Sequence, residues 1–222
     1  MSTPFYVAPE QVMKDRADYA RKGIARGRAL VAIRYVDGIA IVAENPSETL
    51  RKVSEIYDRI AFAGVGKYNE FDQLRVAGVR AADLKGFQYS RDDVDARSLA
   101  NSYAQMLGTI FTHEMKPMEV EILVAEVGLV PDGDQMFHIL YDGTVVDERD
   151  YAAIGGDAEA INAGLAETWT EGLDRAAAIA LGRTALSGPD REIADDDLEV
   201  ADLSRTNGRR CFHRLATADL GS

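Results

Sequence analysis

The sequence LVAIRYVDGIAIVA (residues 30–43) predicts the element from which the fold is built. Two apolar runs lie on either side of the pair Asp37-Gly38. An Asp-Gly pair readily adopts the positive φ angles of a tight turn, so we expect two antiparallel strands joined at this pair. Two shorter strand-like runs follow at residues 52–57 and 60–63, and we expect all four strands to form one meander.

The rest of the chain alternates between pairs of helices and groups of strands. Helical periodicity occurs at residues 67–85, 95–116, 157–170 and 174–186, and strand character occurs at residues 119–127, 136–141, 144–146, 198–203 and 210–215. The strand at residues 119–127 is apolar on both faces, which predicts that both faces are covered. This order favours an α/β (α+β) fold, a four-layer αββα sandwich with two antiparallel sheets face to face and a helix pair outside each.

An additional amphipathic helix precedes the sandwich. Pro9 suits the first position of a helix, and apolar residues then recur at spacings of four, three and four, at Met13, Ala17, Ala20 and Ile24. This stripe has no obvious place inside a closed sandwich. Residues 1–8 have no periodic partner of their own, which predicts a flexible N-terminal segment before a single domain at residues 9–222.

The composition argues against several classes of protein. The chain has 222 residues, with 25 Lys and Arg against 37 Asp and Glu, and its net charge of −12 would repel nucleic acid and anionic membranes. Cys211 is the only cysteine, so no intrachain disulfide can form, which favours a reducing compartment. The sequence has no run of 18 apolar residues and no basic leader, so we predict a cytoplasmic protein.

The sequence contains no recognisable catalytic or metal-binding motif. It lacks a G-x-S-x-G elbow, and Cys211 and His213 lie on one strand without an orienting third group. Residues 64–67 (GVGK) depart from the phosphate-binding pattern at two positions and predict a strand-to-helix turn. The three histidines are dispersed along the chain. We therefore predict no catalytic residue, no metal site and no cofactor.

Four stretches together resemble the α-type subunit of the actinobacterial proteasome core particle. They are ARKGIARGRALVAIRYVDGIAIVAENPSETLRKVSEIYDRIAFAGVGKYNEFDQLR (20–75), LANSYAQMLGTIFTHEMKPMEVEILVAEV (99–127), ILYDGTVVDE (139–148) and AIGGDAE (153–159). The resemblance covers nearly the whole chain and becomes weak after residue 187. It implies the same two-sheet sandwich, an N-terminal-nucleophile hydrolase-like fold, with an extra N-terminal helix.

The catalytic sister subunits of that family expose a threonine at the start of the first strand, where its own amino group acts as the base. This chain has GRAL at residues 27–30, which offers no hydroxyl or thiol. Glu44 and Lys52 fall near the acid and the lysine that assist such a threonine, but they cannot carry the reaction without a nucleophile. The resemblance therefore implies a non-catalytic subunit.

Two alternatives from other classes remain open. A threonine peptidase of the same fold, acting through an N-terminal nucleophile, predicts a processed N-terminus at the start of a strand. A free-standing binding domain predicts a monomer. The helix before the first strand argues against the peptidase and is a feature of α-type subunits.

The resemblance also implies partners. The chain would form a homo-heptameric outer ring, bind the catalytic β subunits and dock the C-terminal tails of a hexameric regulatory ATPase, for the degradation of tagged proteins. The stripe of Met13, Ala17, Ala20 and Ile24 would pack between neighbours in the ring. The gate would consist of Ser2, Thr3, Pro4, Phe5, Tyr6, Val7 and Ala8.

Lys52 is the residue that the resemblance places in the ATPase-docking pocket between adjacent subunits. It opens a strand directly after residues 45–49, which we expect to be exposed, so its ammonium would reach a pocket rim while its stem packs on the domain. The alternative is a surface lysine paired with Glu48 or Glu55, and replacement of such a lysine would have almost no effect.

Overall fold

The computed structural model describes residues 8–189 and 191–216 and contains two five-stranded antiparallel sheets. The strands, in chain order, are β1 (Leu30–Tyr35), β2 (Gly38–Glu44), β3 (Val53–Tyr57), β4 (Ile60–Gly66), β5 (Val120–Glu126), β6 (Gln135–Ile139), β7 (Val145–Glu148), β8 (Tyr151–Ile154), β9 (Leu198–Ser204) and β10 (Phe212–Arg214). The first sheet has the order β10-β9-β2-β1-β8, and the second has the order β3-β4-β5-β6-β7.

Helices cover the outer faces of both sheets. The described part of the chain has five α-helices, α1 (Pro9–Ala25), α2 (Tyr68–Gln88), α3 (Ala96–His113), α4 (Ala158–Thr168) and α5 (Arg175–Ser187). Helices α2 and α3 pack on the second sheet, and α4 and α5 pack on the first. The four-layer αββα prediction is therefore confirmed. Among the described residues, no helix combines the length and the apolar character needed to cross a membrane.

Strand β5 shows why the sheets must lie inside the sandwich. Its residues Ile122 and Val124 pack with the side chains of α2 and α3, whereas Leu123 and Ala125 belong to the core between the two sheets. Both faces are therefore buried, as the sequence predicts. At about 25 cal/mol for each Å² of apolar surface removed from water, such two-sided burial is the main stabilising contribution to this strand.

The predicted four-stranded meander is wrong. The β1–β2 hairpin belongs to the first sheet and the β3–β4 hairpin to the second, because β9 occupies the edge of β2 that β3 would need. The other edge of β1 pairs with β8, a four-residue strand that the sequence analysis missed. Residues 45–52 therefore cross from one sheet to the other at one end of the sandwich.

The turn of the first hairpin also differs from the prediction. Tyr35 pairs with Gly38, so the two central residues of the turn are Val36 and Asp37, and Gly38 does not have a positive φ angle. A Cβ atom on Gly38 would lie 1.9 Å from the carbonyl oxygen of Leu203 on β9. The glycine therefore permits close approach of two strands and does not shape the turn.

The N-terminal helix begins at Pro9, as predicted. The expectation that its apolar stripe has no place in the sandwich is wrong for the second half of the stripe. Ala20 and Ile24 are 0% and 4% exposed and belong to the core between the sheets. Ala17 is half-buried against the same core, and Met13 is 38% exposed. Helix α1 therefore closes one end of the chain's own core with Ala20 and Ile24.

Candidate functional site

Lys52 lies just before β3, at the end of the sandwich where α1 runs into β1. Its Nζ donates a hydrogen bond to the backbone oxygen of Arg28, at 2.6 Å. Among the described residues, no carboxylate lies within ion-pair distance of this ammonium, and Glu55 binds Arg210 instead. The alternative of a surface lysine paired with Glu48 or Glu55 therefore has no support in the described part of the chain.

The charge of Lys52 is held in an unfavourable environment. Burial of its side chain lowers the pKa of Lys52 to about 8, although the negative charges of Glu44 and Glu199 act in the opposite direction. At neutral pH the ammonium is still mostly protonated, and an ammonium has three donors. An external anion that supplied hydrogen bonds and negative charge at this point would be bound favourably.

A buried carboxylate fixes the backbone at Lys52. Oε2 of Glu199 accepts hydrogen bonds from the backbone nitrogen of Lys52, at 2.8 Å, and from Nδ2 of Asn45, at 2.7 Å. Oε1 accepts one from the backbone nitrogen of Val53, at 3.3 Å, and another from Arg214. Glu199 is only 3% exposed, and these four donors compensate for the burial of its charge.

The connection before Lys52 is ordered by its own side chains. Asn45 donates from Nδ2 to the oxygen of Leu50, at 2.8 Å, and its Oδ1 accepts from the nitrogen of Ser47, at 3.2 Å. The hydroxyl of Ser47 accepts from the nitrogen of Leu50, at 3.0 Å. Asn45 itself is buried, which corrects the expectation that all of residues 45–49 are exposed. Lys52 thus stands on a connection that side-chain hydrogen bonds hold in place.

The start of β1 cannot supply a nucleophile. Arg28 lies two residues before β1, and its guanidinium binds the carboxylate of Glu44, which also receives a bidentate pair from Arg191 at 2.9 and 2.7 Å. Burial opposes ionisation of Glu44, but the hydrogen bonds from Arg191 and Arg28 outweigh it and hold the pKa of Glu44 below its usual range. The acid that could assist a hydrolase is thus neutralised by two arginines.

A cavity of about 620 Å³ lies beside this ion cluster, between α4 and α5. It is lined by Arg28, Glu44 and Arg191 at one end, and by small residues such as Ala160, Gly164 and Ala185 along its length. Cys211, the other candidate nucleophile, is buried, and burial raises the pKa of its thiol. Its Sγ donates to the backbone oxygen of Gly208, at 3.3 Å, so it has the environment of a core residue.

The outer face of the first half of α1 is exposed. Val12, Met13 and Tyr19 are exposed, and Arg16 donates to the backbone oxygens of Ile110 and Glu114 at the end of α3. A guanidinium at the C-terminus of a helix satisfies free carbonyl groups and complements the helix dipole. Helix α1 is therefore anchored to the body while its outer face remains open.

The predicted gate lies almost entirely outside the described residues. Ser2, Thr3, Pro4, Phe5, Tyr6 and Val7 are not described, and Ala8 is exposed immediately before α1.

Sequence reasoning missed Glu199 and Arg191. Glu199 occupies the face of β9 that carries Ala201 and Leu203 of the core between the sheets. A charged residue on such a face is a signal for a buried polar contact, because an unpaired charge there would be costly. No comparable signal marks Arg191, which follows α5 in a polar segment.

Comparison with known proteins gives one consistent result. The family described as "Proteasome subunit" matches residues 24–201 of this chain. The chain is 65% identical to the proteasome subunit alpha of Acidimicrobium ferrooxidans, with 97% of this chain and 93% of the relative covered. It is 60% identical to the proteasome subunit alpha of Kineococcus radiotolerans, with coverages of 97% and 95%. It is 58% identical to that of Sanguibacter keddieii, with coverages of 97% and 87%.

Proposed function

The chain belongs to the proteasome subunit family, as an α-type member, and from this premise we propose that it is a non-catalytic subunit of the outer ring of a proteasome core particle. In this role seven copies form a ring in the cytoplasm and bind the catalytic β subunits. The ring gates the admission of substrates and docks a hexameric regulatory ATPase. Residues 1–8 act as the gate, and residues 9–222 form one domain.

The observation that carries the non-catalytic role is the chemistry at the start of β1. Residues 27–30, which lead into β1, carry no hydroxyl or thiol, and Glu44 is bound by Arg28 and Arg191. Threonine-type peptide cleavage would then belong to the β subunits. Light scattering on the chain alone, and on the chain co-expressed with a β subunit, tests this role. A monomer under both conditions, or peptide hydrolysis by the chain alone, would overturn it.

The exposed half of α1 is the part of the predicted ring interface that remains available in one chain. Met13→Asp should therefore leave the fold intact and break the ring, because a stable interface buries on the order of 1,600 Å² and tolerates an unpaired carboxylate poorly. The measurement is sedimentation velocity together with thermal unfolding.

The matched control for Met13→Asp is Ala166→Asp, which adds the same carboxylate to an exposed position of α4. The control should assemble normally. Intact rings from Met13→Asp would mean that α1 does not contribute this face to the interface.

The gate assignment rests on the position of residues 1–8 directly before α1, where several copies in a ring would converge on one axis. Deletion of residues 2–8 should accelerate the degradation of a long unfolded protein by the assembled particle, because these segments would no longer obstruct the entrance. The rate is followed by loss of the substrate band. Ring size and thermal stability serve as controls, and an unchanged rate would count against the gate.

Docking of the ATPase is assigned to Lys52. A chain terminus always offers a carboxylate, and the half-buried ammonium of Lys52 has one hydrogen bond and no ion-pair partner among the described residues. Such a group is prepared for an anion that comes from outside the chain.

A further inference from the structure

Lys52 is held by groups that the family resemblance did not indicate. The charged side chains around it are Arg28 before β1, Glu44 on β2, Glu199 on β9, and, through the two carboxylates, Arg191 and Arg214. Glu199 is distinguished from the others because it contacts the backbone of Lys52 itself. We propose that Glu199 is the positioning residue for Lys52: its buried carboxylate fixes the backbone that aims the ammonium and, together with Glu44, places negative charge beside it. This inference rests on the proposed docking role of Lys52.

The geometry supports the fixing of the backbone. One oxygen of Glu199 binds the nitrogen of Lys52 and the amide of Asn45, and Asn45 in turn binds the oxygen of Leu50. The other oxygen binds Val53, the first residue of β3. Glu199, which lies on β9 of the first sheet, therefore binds the backbone of both Lys52 and Val53. In this way it attaches the end of the connection at residues 45–52 to the first sheet. Loss of this carboxylate would release the segment that aims the lysine.

The electrostatic effect has a defined sign. Burial and Arg28 both favour the neutral amine of Lys52, and Glu44 and Glu199 both favour the ammonium. Glu44 has the larger effect of the two and is bound by Arg28 and Arg191, whereas the arginine that binds Glu199 among the described residues is Arg214. Glu199→Gln should therefore lower the pH at which Lys52 loses its proton, and Arg214→Met, which leaves the carboxylate without its counter-charge, should raise it.

The experiment measures how pH affects binding of a fluorescent decapeptide, the C-terminal tail of an actinobacterial proteasomal ATPase, to the assembled particle between pH 6 and 9.5. The terminal carboxylate of the peptide stays ionised over this range, and the fluorophore blocks the N-terminal amine, which would otherwise titrate near pH 8. Parent binding should weaken as pH rises through about 8, the pKa of Lys52. For Glu199→Gln the midpoint should fall by roughly half a pH unit, which weakens binding about threefold at pH 9. At pH 6 the ammonium is almost fully charged in both proteins. Any weaker peptide binding by Glu199→Gln than by the parent at this pH therefore reports the effect of the displaced backbone at Lys52.

Three variants keep the outcomes separate. Glu55→Gln removes a carboxylate of β3 that binds Arg210 and does not touch Lys52. Its peptide binding should have the same pH midpoint as that of the parent. Arg214→Met leaves Glu199 in place and should move the midpoint upward, which keeps the inference testable if Glu199→Gln does not fold. If Lys52→Ala binds as tightly as the parent, the docking function itself fails. If Lys52→Ala loses binding but neither Glu199→Gln nor Arg214→Met moves the midpoint, docking stands and the role of Glu199 is wrong.

Discussion

Replacement of Lys52 by alanine is expected to weaken the binding of one ATPase tail by about 10- to 100-fold. A charge-assisted hydrogen bond contributes roughly 1.5–3 kcal/mol, and each 1.4 kcal/mol changes an equilibrium constant tenfold. Several tails that bind together would multiply the loss. Ring assembly and the cleavage of short peptides by the β subunits should not change. The measurement is fluorescence anisotropy of the tail peptide with the assembled particle, together with stimulation of degradation by the ATPase.

The stability of Lys52→Ala distinguishes a docking residue from a structural one. The pKa of Lys52 is about 8 in the folded chain, below the ordinary value of 10.5, so the folded state binds this proton more weakly than the unfolded state does. The contribution of Lys52 to the free energy of unfolding therefore rises with pH between about 8 and 10.5, and the charged ammonium is a cost at pH 7. Lys52→Ala should not lower the melting temperature at pH 7. A large drop in melting temperature together with unchanged tail affinity would identify a structural lysine instead.

The second large effect is expected at Ala20. Because Ala20 is fully buried in the core between the sheets, Ala20→Asp places an unpaired carboxylate where no water can reach it. Burial of an unpaired charge costs roughly 3–5 kcal/mol, which lowers the melting temperature of a domain of this size by about 10 °C or more. Thermal unfolding followed by circular dichroism measures the effect.

Ala20→Asp does not test the ring interface, because Ala20 is buried inside the subunit. The absence of rings from this variant would reflect a damaged subunit, and only a variant at an exposed position of α1 tests the interface. Met13→Asp is that variant, because Met13 is 38% exposed. Equal melting temperatures for Ala20→Asp and Met13→Asp would show that α1 does not pack in the core as described.

The local chemistry of the sequence was enough to predict the layers of the sandwich. Apolar runs of strand length, and helices that begin at Pro9 or directly after Asp95 and Asp174, follow from interactions within a few residues of the chain. Asp95 and Asp174 cap α3 and α5, since their side chains accept hydrogen bonds from the backbone nitrogens of Ser98 and Ala177. The absence of a nucleophile at residues 27–30 is likewise a fact of the sequence.

The tertiary structure alone decided which elements meet. The partners of β2 and the burial of Ala20 depend on contacts between segments far apart in the chain, and periodicity within one segment cannot choose among such contacts. The site at Lys52 is the clearest case, because the carboxylate that binds its backbone comes from Glu199, 147 residues away. A sequence pattern shows that Lys52 begins a strand. Only the packing of the two sheets determines that its ammonium is half-buried, bound to the oxygen of Arg28 and without an ion-pair partner among the described residues.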